Sequence, residues 1–284
     1  MTQKANIVKP KPLSKDSWRS LSRNPAFRGS SENEHDAAPS LTDPLHCDAP
    51  ALRGAEIAAV YTGQRVGGDF YEFLRVEPSR LLFVLLDIAG LRADTRATLI
   101  ALQKTFRTLA PALFGREDFN ETTAMIELCH EMNRTVMRGG IRSCPAFIGC
   151  YNEDLGTVGY ANAGHTPGML RDGAGIALLE ATGLPLGLFS HTTQSAAACH
   201  LVPGSALVLV TRGFVEADCE SGDCDDVEFG MDRAKQTFQE ATAAGARELC
   251  LSMLQATRQF MRTAPTHNDL TARALVRNPA PEAV

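Results

Sequence analysis

The sequence predicts an α+β domain built of antiparallel sheets with helix pairs packed outside them. Three observations carry this. Apolar runs of strand length come mostly in pairs joined by short turns bearing Gly, Asp or Asn. Helix-period apolar stripes also come in pairs, once after the first strands and once before the last. No strand–helix–strand alternation with a phosphate loop occurs, which argues against a doubly wound parallel sheet.

Taken in order, residues 1–50 read as a polar, solvated tail, because Pro, Ser and charged residues outnumber apolar ones and no period persists. Its first half is basic, with Lys4, Lys9, Lys11, Lys15, Arg19, Arg23 and Arg28 against Asp16 alone. The domain is expected over 51–278, with 279–284 a short C-terminal tail. Ile57–Tyr61 reads as a strand, residues 63–68 as a turn, and Asp69–Val76 as a second strand. Leu81–Leu86 is an unbroken apolar run, hence a strand buried on both faces.

Asp94 reads as the N-cap of a helix carrying Leu99, Leu102, Phe106 and Leu109, with Pro111 just past its end. Asn120 or Thr122 opens a second helix, with Met125, Leu128, Met132 and Val136 on one face and Gly139-Gly140 closing it. Hairpins follow at 146–151 with 157–161, and at 169–170 with 176–179. Ala206–Val210 is a strand, Asp218–Glu228 an acidic loop, 231–244 and 246–261 helices, and Leu270–Val276 a last strand.

Composition narrows the function classes. The 284 residues, 44% hydrophobic and 21% charged, suit one large globular domain with a tail. A net charge of −5 provides no large positive field, which argues against a nucleic-acid partner. No run approaches the roughly 20 apolar residues of a membrane span. The N-terminus lacks the apolar core of a secretory signal, so a cytoplasmic location is expected.

Of the eight cysteines, Cys129 and Cys250 fall on helical faces and Cys150 in a strand, as buried thiols do in a reducing compartment. Cys219 and Cys224 flank residues 220–223 and suggest a disulfide or a metal clip, although no second pair completes a tetrahedral zinc site.

The candidate chemistry lies in Gly67-Gly68-Asp69-Phe70-Tyr71-Glu72 and Asp87-Ile88-Ala89-Gly90. Each sets an aspartate beside glycine at the end of an apolar run. Carboxylates so placed can offer oxygen to a hard cation such as Mg²⁺ or Mn²⁺, or simply cap two turns. His165 sits in a tight turn after a strand, where an imidazole serves either as a catalytic acid or to stabilise the turn.

With Tyr160-Ala161-Asn162-Ala163-Gly164-His165-Thr166-Pro167, Thr182-Gly183-Leu184-Pro185-Leu186-Gly187, Pro203-Gly204, Thr211-Arg212-Gly213-Phe214-Val215-Glu216-Ala217, Phe229-Gly230 and Asn268-Asp269-Leu270-Thr271, these motifs resemble the SpoIIE-like branch of the metal-dependent, protein phosphatase 2C-like family. The resemblance covers about residues 52–277. It implies an αββα sandwich of two antiparallel β-sheets flanked by helix pairs. It also implies a Mg- or Mn-dependent protein serine/threonine phosphatase of bacterial partner-switching signalling, acting on a phosphorylated regulatory protein of the anti-sigma antagonist type. Carried over, Asp87 is the bridging ligand, Ile88 lends its carbonyl, Asp69 acts through water or as an outer ligand, and Asp269 is a further ligand. The paired ions of such a centre activate water and neutralise phosphoryl charge.

The chain departs from that pattern on the chemistry itself. Arg212 stands where a ligand aspartate is expected, Asn268 replaces the first acid of the last motif, and Gly90-Leu91-Arg92 replaces Gly-His-Gly. Glu216, Asp218 and acids up to Glu228 are the nearest substitutes in sequence, and His267 precedes the last motif. The expectations are therefore two: a weakened phosphatase with one or two ions, or a pseudophosphatase that holds a phosphoprotein without hydrolysing it. In the second, Arg65, Arg92 and Arg212 are the candidate phosphate readers. Thr271 is expected to be a strand residue rather than a nucleophile.

Overall fold

The computed structural model describes residues 48–279 except 64–67, 89, 91, 117–118, 192, 220–227, 242–244 and 265–267. The strands are β1 (Ala55–Thr62), β2 (Gly68–Glu77), β3 (Arg80–Ile88), β4 (Ala146–Asn152), β5 (Thr157–Ala163), β6 (Gly168–Asp172), β7 (Gly175–Leu179), β8 (Ala197–His200), β9 (Ala206–Val210) and β10 (Leu270–Arg277). The helices are α1 (Arg92–Phe114), α2 (Glu121–Arg138), α3 (Arg212–Val215), α4 (Gly230–Glu240) and α5 (Ala246–Met261).

Side-chain alternation explains the layering. In β3, Leu82, Val84, Leu86 and Ile88 pack under α1 and α2, whereas Leu81, Phe83 and Leu85 point into a second apolar layer. β10 divides likewise. Leu270, Ala272, Ala274 and Val276 face α4 and α5, and Leu275 faces the layer shared with β3. Two five-stranded antiparallel sheets result, ordered β1-β10-β9-β6-β7 and β2-β3-β4-β5-β8. They stack on the shared layer of Phe73, Phe83, Phe147, Leu207 and Leu209, with a helix pair outside each sheet. This is the expected αββα sandwich.

The local differences have physical causes. α1 starts at Arg92, so Asp94 lies in its first turn, where its carboxylate complements the helix dipole without capping. Pro111 lies inside α1, not past it. The helix runs on through Leu113 and Phe114, both buried, while Pro111 turns its exposed ring to solvent. Asn120 caps α2 as expected, accepting from the Thr123 amide at 2.9 Å. The sequence reading left out β8 and α3. β8 is a four-residue edge strand of mostly exposed residues, without a buried face to produce an alternation.

Among the described residues no helix is long and apolar enough to cross a membrane. Cys129, Cys144, Cys150 and Cys250 are buried free thiols. Cys219 is disulfide-bonded, to a partner outside the described residues.

Candidate functional site

Asp69 and Asp87 are register partners on β2 and β3. Directly opposed side chains in an antiparallel pair share a face, so both carboxyls enter the inter-sheet layer side by side. Each residue is 6% exposed. The close pairing at this end depends on Gly68, opposite Ile88. A Cβ at Gly68 would lie 2.6 Å from the Ile88 carbonyl oxygen. Burial, then the neighbouring Asp87 and Asp269, hold the Asp69 carboxyl well above the usual carboxylate range, against two opposing hydrogen bonds.

Those two bonds come from the other sheet. Thr211 Oγ1 and Thr271 Oγ1 each donate to Asp69 Oδ2 at 2.7 Å. The donors are themselves fixed: the Thr211 amide donates to the Thr271 carbonyl at 3.0 Å, and the Thr271 amide to Thr211 Oγ1 at 3.1 Å. Asp269 accepts from the Tyr61 hydroxyl on β1 at 3.1 Å. The site is thus a seam between the ends of two sheets.

Arg212 closes it. The residue opens the one-turn helix α3, and its amide donates to Asp87 Oδ2 at 3.3 Å. Its Nε lies 3.6 Å from Asp87 Oδ2 and 3.6 Å from Glu216 Oε2, ion pairs too long to be hydrogen bonds. The terminal guanidinium nitrogens have no hydrogen-bonding partner among the described residues, and the side chain is 34% exposed. Burial raises the Glu216 carboxyl pKa, and Arg212 opposes that rise. Gly213 lets α3 approach β10, since a Cβ there would sit 2.0 Å from the Asp269 carbonyl oxygen.

His165 is buried behind the acids. Asn162 Oδ1 accepts from its amide at 2.8 Å, and Gly164 adopts φ +67°, which fixes the turn. The ring Nδ1 is 3.1 Å from the Thr166 carbonyl, which can only accept, so Nδ1 carries the proton. Nε2 is then a buried lone pair without a hydrogen-bonding partner among the described residues. Burial holds the imidazole pKa below its ordinary value, with Asp87 pulling the other way.

Arg65, Gly67, His267 and the acids of 220–227 lie outside the described residues, as does the Arg92 side chain. Asn268 is half-buried beside Gly213. Ile88 is buried on β3, next to Asp87. Thr271 is a strand residue of β10, as read. The sequence reading missed Thr211 and Tyr61 as site residues. Strand parity was the available signal for Thr211, which continues the inward-facing series of Leu207 and Leu209. Nothing local in the sequence pairs Tyr61 with Asp269.

The model of the stage II sporulation protein E (SpoIIE) family matches residues 77–278. The chain belongs to the SpoIIE family. No curated protein sequence matches it. Among solved structures, it is similar to the RsbU and RsbW domains of Rv1364c from Mycobacterium tuberculosis, with 24% identity and a TM-score of 0.63, covering 82% of this chain and 64% of that one. It therefore spans under two thirds of that relative's length. It is also similar to the PP2C phosphatase domain with a regulatory fragment of SpoIIE from Bacillus subtilis, with 15% identity and a TM-score of 0.60, covering 79% and 62%. A third relative is RsbX in complex with magnesium, with 11% identity and a TM-score of 0.57, covering 81% and 98%. At these identities the likeness shows the fold.

The donor set at this seam does not, among the described residues, fit a pair of divalent ions. Among the described residues, no group of three or more His, Cys, Asp or Glu side chains is arranged to hold a metal. Hard cations want several oxygen ligands, mostly anionic. Here one Asp69 oxygen is occupied by two hydroxyls, Asp269 is engaged by Tyr61, and a guanidinium stands beside Asp87.

Proposed function

We propose that this chain is a SpoIIE-family regulatory module that binds a phosphorylated partner protein without the two-ion hydrolysis of the family, a pseudophosphatase. One observation carries the reading: Arg212, which the motif resemblance aligns with a ligand aspartate, pairs with Asp87. A guanidinium there repels a cation and attracts a phosphate, and its terminal nitrogens, without a hydrogen-bonding partner among the described residues, suit charge-assisted bonding to phosphoryl oxygens. The partner class is a phosphoserine or phosphothreonine protein of partner-switching signalling, met in the cytoplasm. Arg65 is the second phosphate-reading residue of this proposal.

A weakened Mg- or Mn-dependent phosphatase is the second reading. It is favoured by the face-to-face Asp69–Asp87 pair, with Ile88 and Asp269 adjacent. Turnover of p-nitrophenyl phosphate with Mn²⁺, with and without Arg212→Asp, separates the two. Activity appearing only in the variant supports the pseudophosphatase. Metal-dependent activity in the unaltered chain supports the weakened enzyme.

A further inference from the structure

A cavity of about 410 Å³ lies on the helix side of the β2-β3-β4-β5-β8 sheet, between α2 and residues 184–191 with 193–194, which cross it. It is separate from the Asp87–Arg212 seam, whose residues do not line it. Buried amides hold its walls. Asn133 on α2 accepts from the Gly187 amide at 2.7 Å and donates to the Phe189 carbonyl at 3.1 Å. Gln194 donates to the Leu184 carbonyl at 2.9 Å. The crossing segment is thus pinned to α2 at one end and to itself at the other, and the cavity is preformed.

Its remaining described lining is His130, Arg134, Ser190, His191 and Thr193. Every one of these can donate a hydrogen bond, and no carboxylate is among them. Arg134, its side chain 61% exposed, also pairs with Glu131, which is not part of the described lining, and a guanidinium has further N–H groups to offer a ligand. A concave site lined by hydrogen-bond donors and one cation, with no carboxylate in its described lining, suits an oxyanion. Phe189, 54% exposed, and Leu184, 47% exposed, lie on the same crossing segment and offer apolar contact beside it.

We infer that this cavity is a second binding site, for a phosphoryl oxyanion: the phosphorylated side chain of a partner protein, or free phosphate. It stands independently of the reading of the Arg212 centre. The apolar residues beside it favour the protein-borne form, because free phosphate has no use for them.

The test is calorimetry on the full chain at low ionic strength, titrating inorganic phosphate, a phosphoserine peptide and the same peptide unphosphorylated. Phosphate and phosphopeptide are expected to bind, and the unphosphorylated peptide is not. His130→Gln with His191→Gln should weaken phosphate binding about tenfold. In an Arg212→Ala background, Ser190→Asp, at an exposed position, should abolish the remaining phosphate binding without moving the melting temperature. Phe189→Ser should weaken the phosphopeptide alone if the ligand is protein-borne, and equal affinities for phosphate and phosphopeptide identify free phosphate. Arg212→Ala should leave phosphate binding at this site intact. Phosphate binding that the cavity variants leave untouched in the Arg212→Ala background, or that is lost entirely with Arg212→Ala alone, overturns the inference.

Discussion

Replacing Arg212 by Asp should turn a cation-repelling site into a cation-attracting one, by an amount that elementary electrostatics supplies. Arg212 is one-third exposed, so the relevant dielectric lies toward the water limit, where a unit pair roughly 4 Å apart interacts by about 1 kcal/mol. Exchanging +1 for −1 beside a divalent ion alters four unit pairs, about 4 kcal/mol in all. Even after loss to ionic screening, about 3 kcal/mol survives, a gain of roughly a hundredfold in Mn²⁺ affinity. The assay is isothermal calorimetry with Mn²⁺ on both proteins, with melting curves to confirm folding. Arg212→Ala should fall between them, since it removes the repulsion without adding a ligand. Tight binding of two Mn²⁺ ions by the unaltered chain would refute the reasoning outright, as would an Arg212→Asp variant no better than the parent.

Further outcomes are specific. Thr211→Val leaves Asp69 with one hydroxyl donor and should cost about 1–3 kcal/mol in urea unfolding; the Thr211→Val, Thr271→Val pair should depart from additivity, because both donors share one oxygen. Gly213→Ala drives a Cβ against the Asp269 carbonyl, and should lower the melting temperature and abolish any Mn²⁺ gain when combined with Arg212→Asp. Glu72 is buried and accepts from Gln103 at 2.8 Å and Arg107 at 3.1 Å, so Glu72→Ala should loosen α1 from β2, read as faster amide exchange in α1.

His165 gives a pH test. Its imidazole pKa is held down in the fold by burial, so the unfolded chain binds the extra proton first as pH falls. Stability is therefore full above the ordinary histidine value near 6.5 and declines below it. The urea midpoint should drop more steeply between pH 7 and 5 for the parent than for His165→Gln, and parallel slopes would discount the histidine.

The fold was legible because its strands announce themselves. The β3 run is buried on both faces, and the hairpins at 146–163 and 168–179 carry their turns in the sequence. Pro111 misled because burial of Leu113 and Phe114 outweighs one missing hydrogen bond in the last turn. Asp69, Asp87, Arg212 and Asp269 were legible one by one, from motif. Their mutual arrangement was not, because it depends on which threonines from the far sheet meet Asp69, a matter of stacking between strands some 140 and 200 positions apart. The cavity beside α2 was invisible for the same reason: its histidines belong to segments about 60 residues apart, with no shared period.

The stacking of the sheets has one further consequence. Asp69 and Asp87 belong to one sheet, whereas Arg212 and Asn268 come from the ends of β9 and β10 on the other. The seam is therefore modular. One side carries a fixed pair of acids set by ladder register, and the facing side decides what those acids meet. Exchanging two short segments of the facing side would change the character of the seam while leaving the ladder, and the core behind it, as they are.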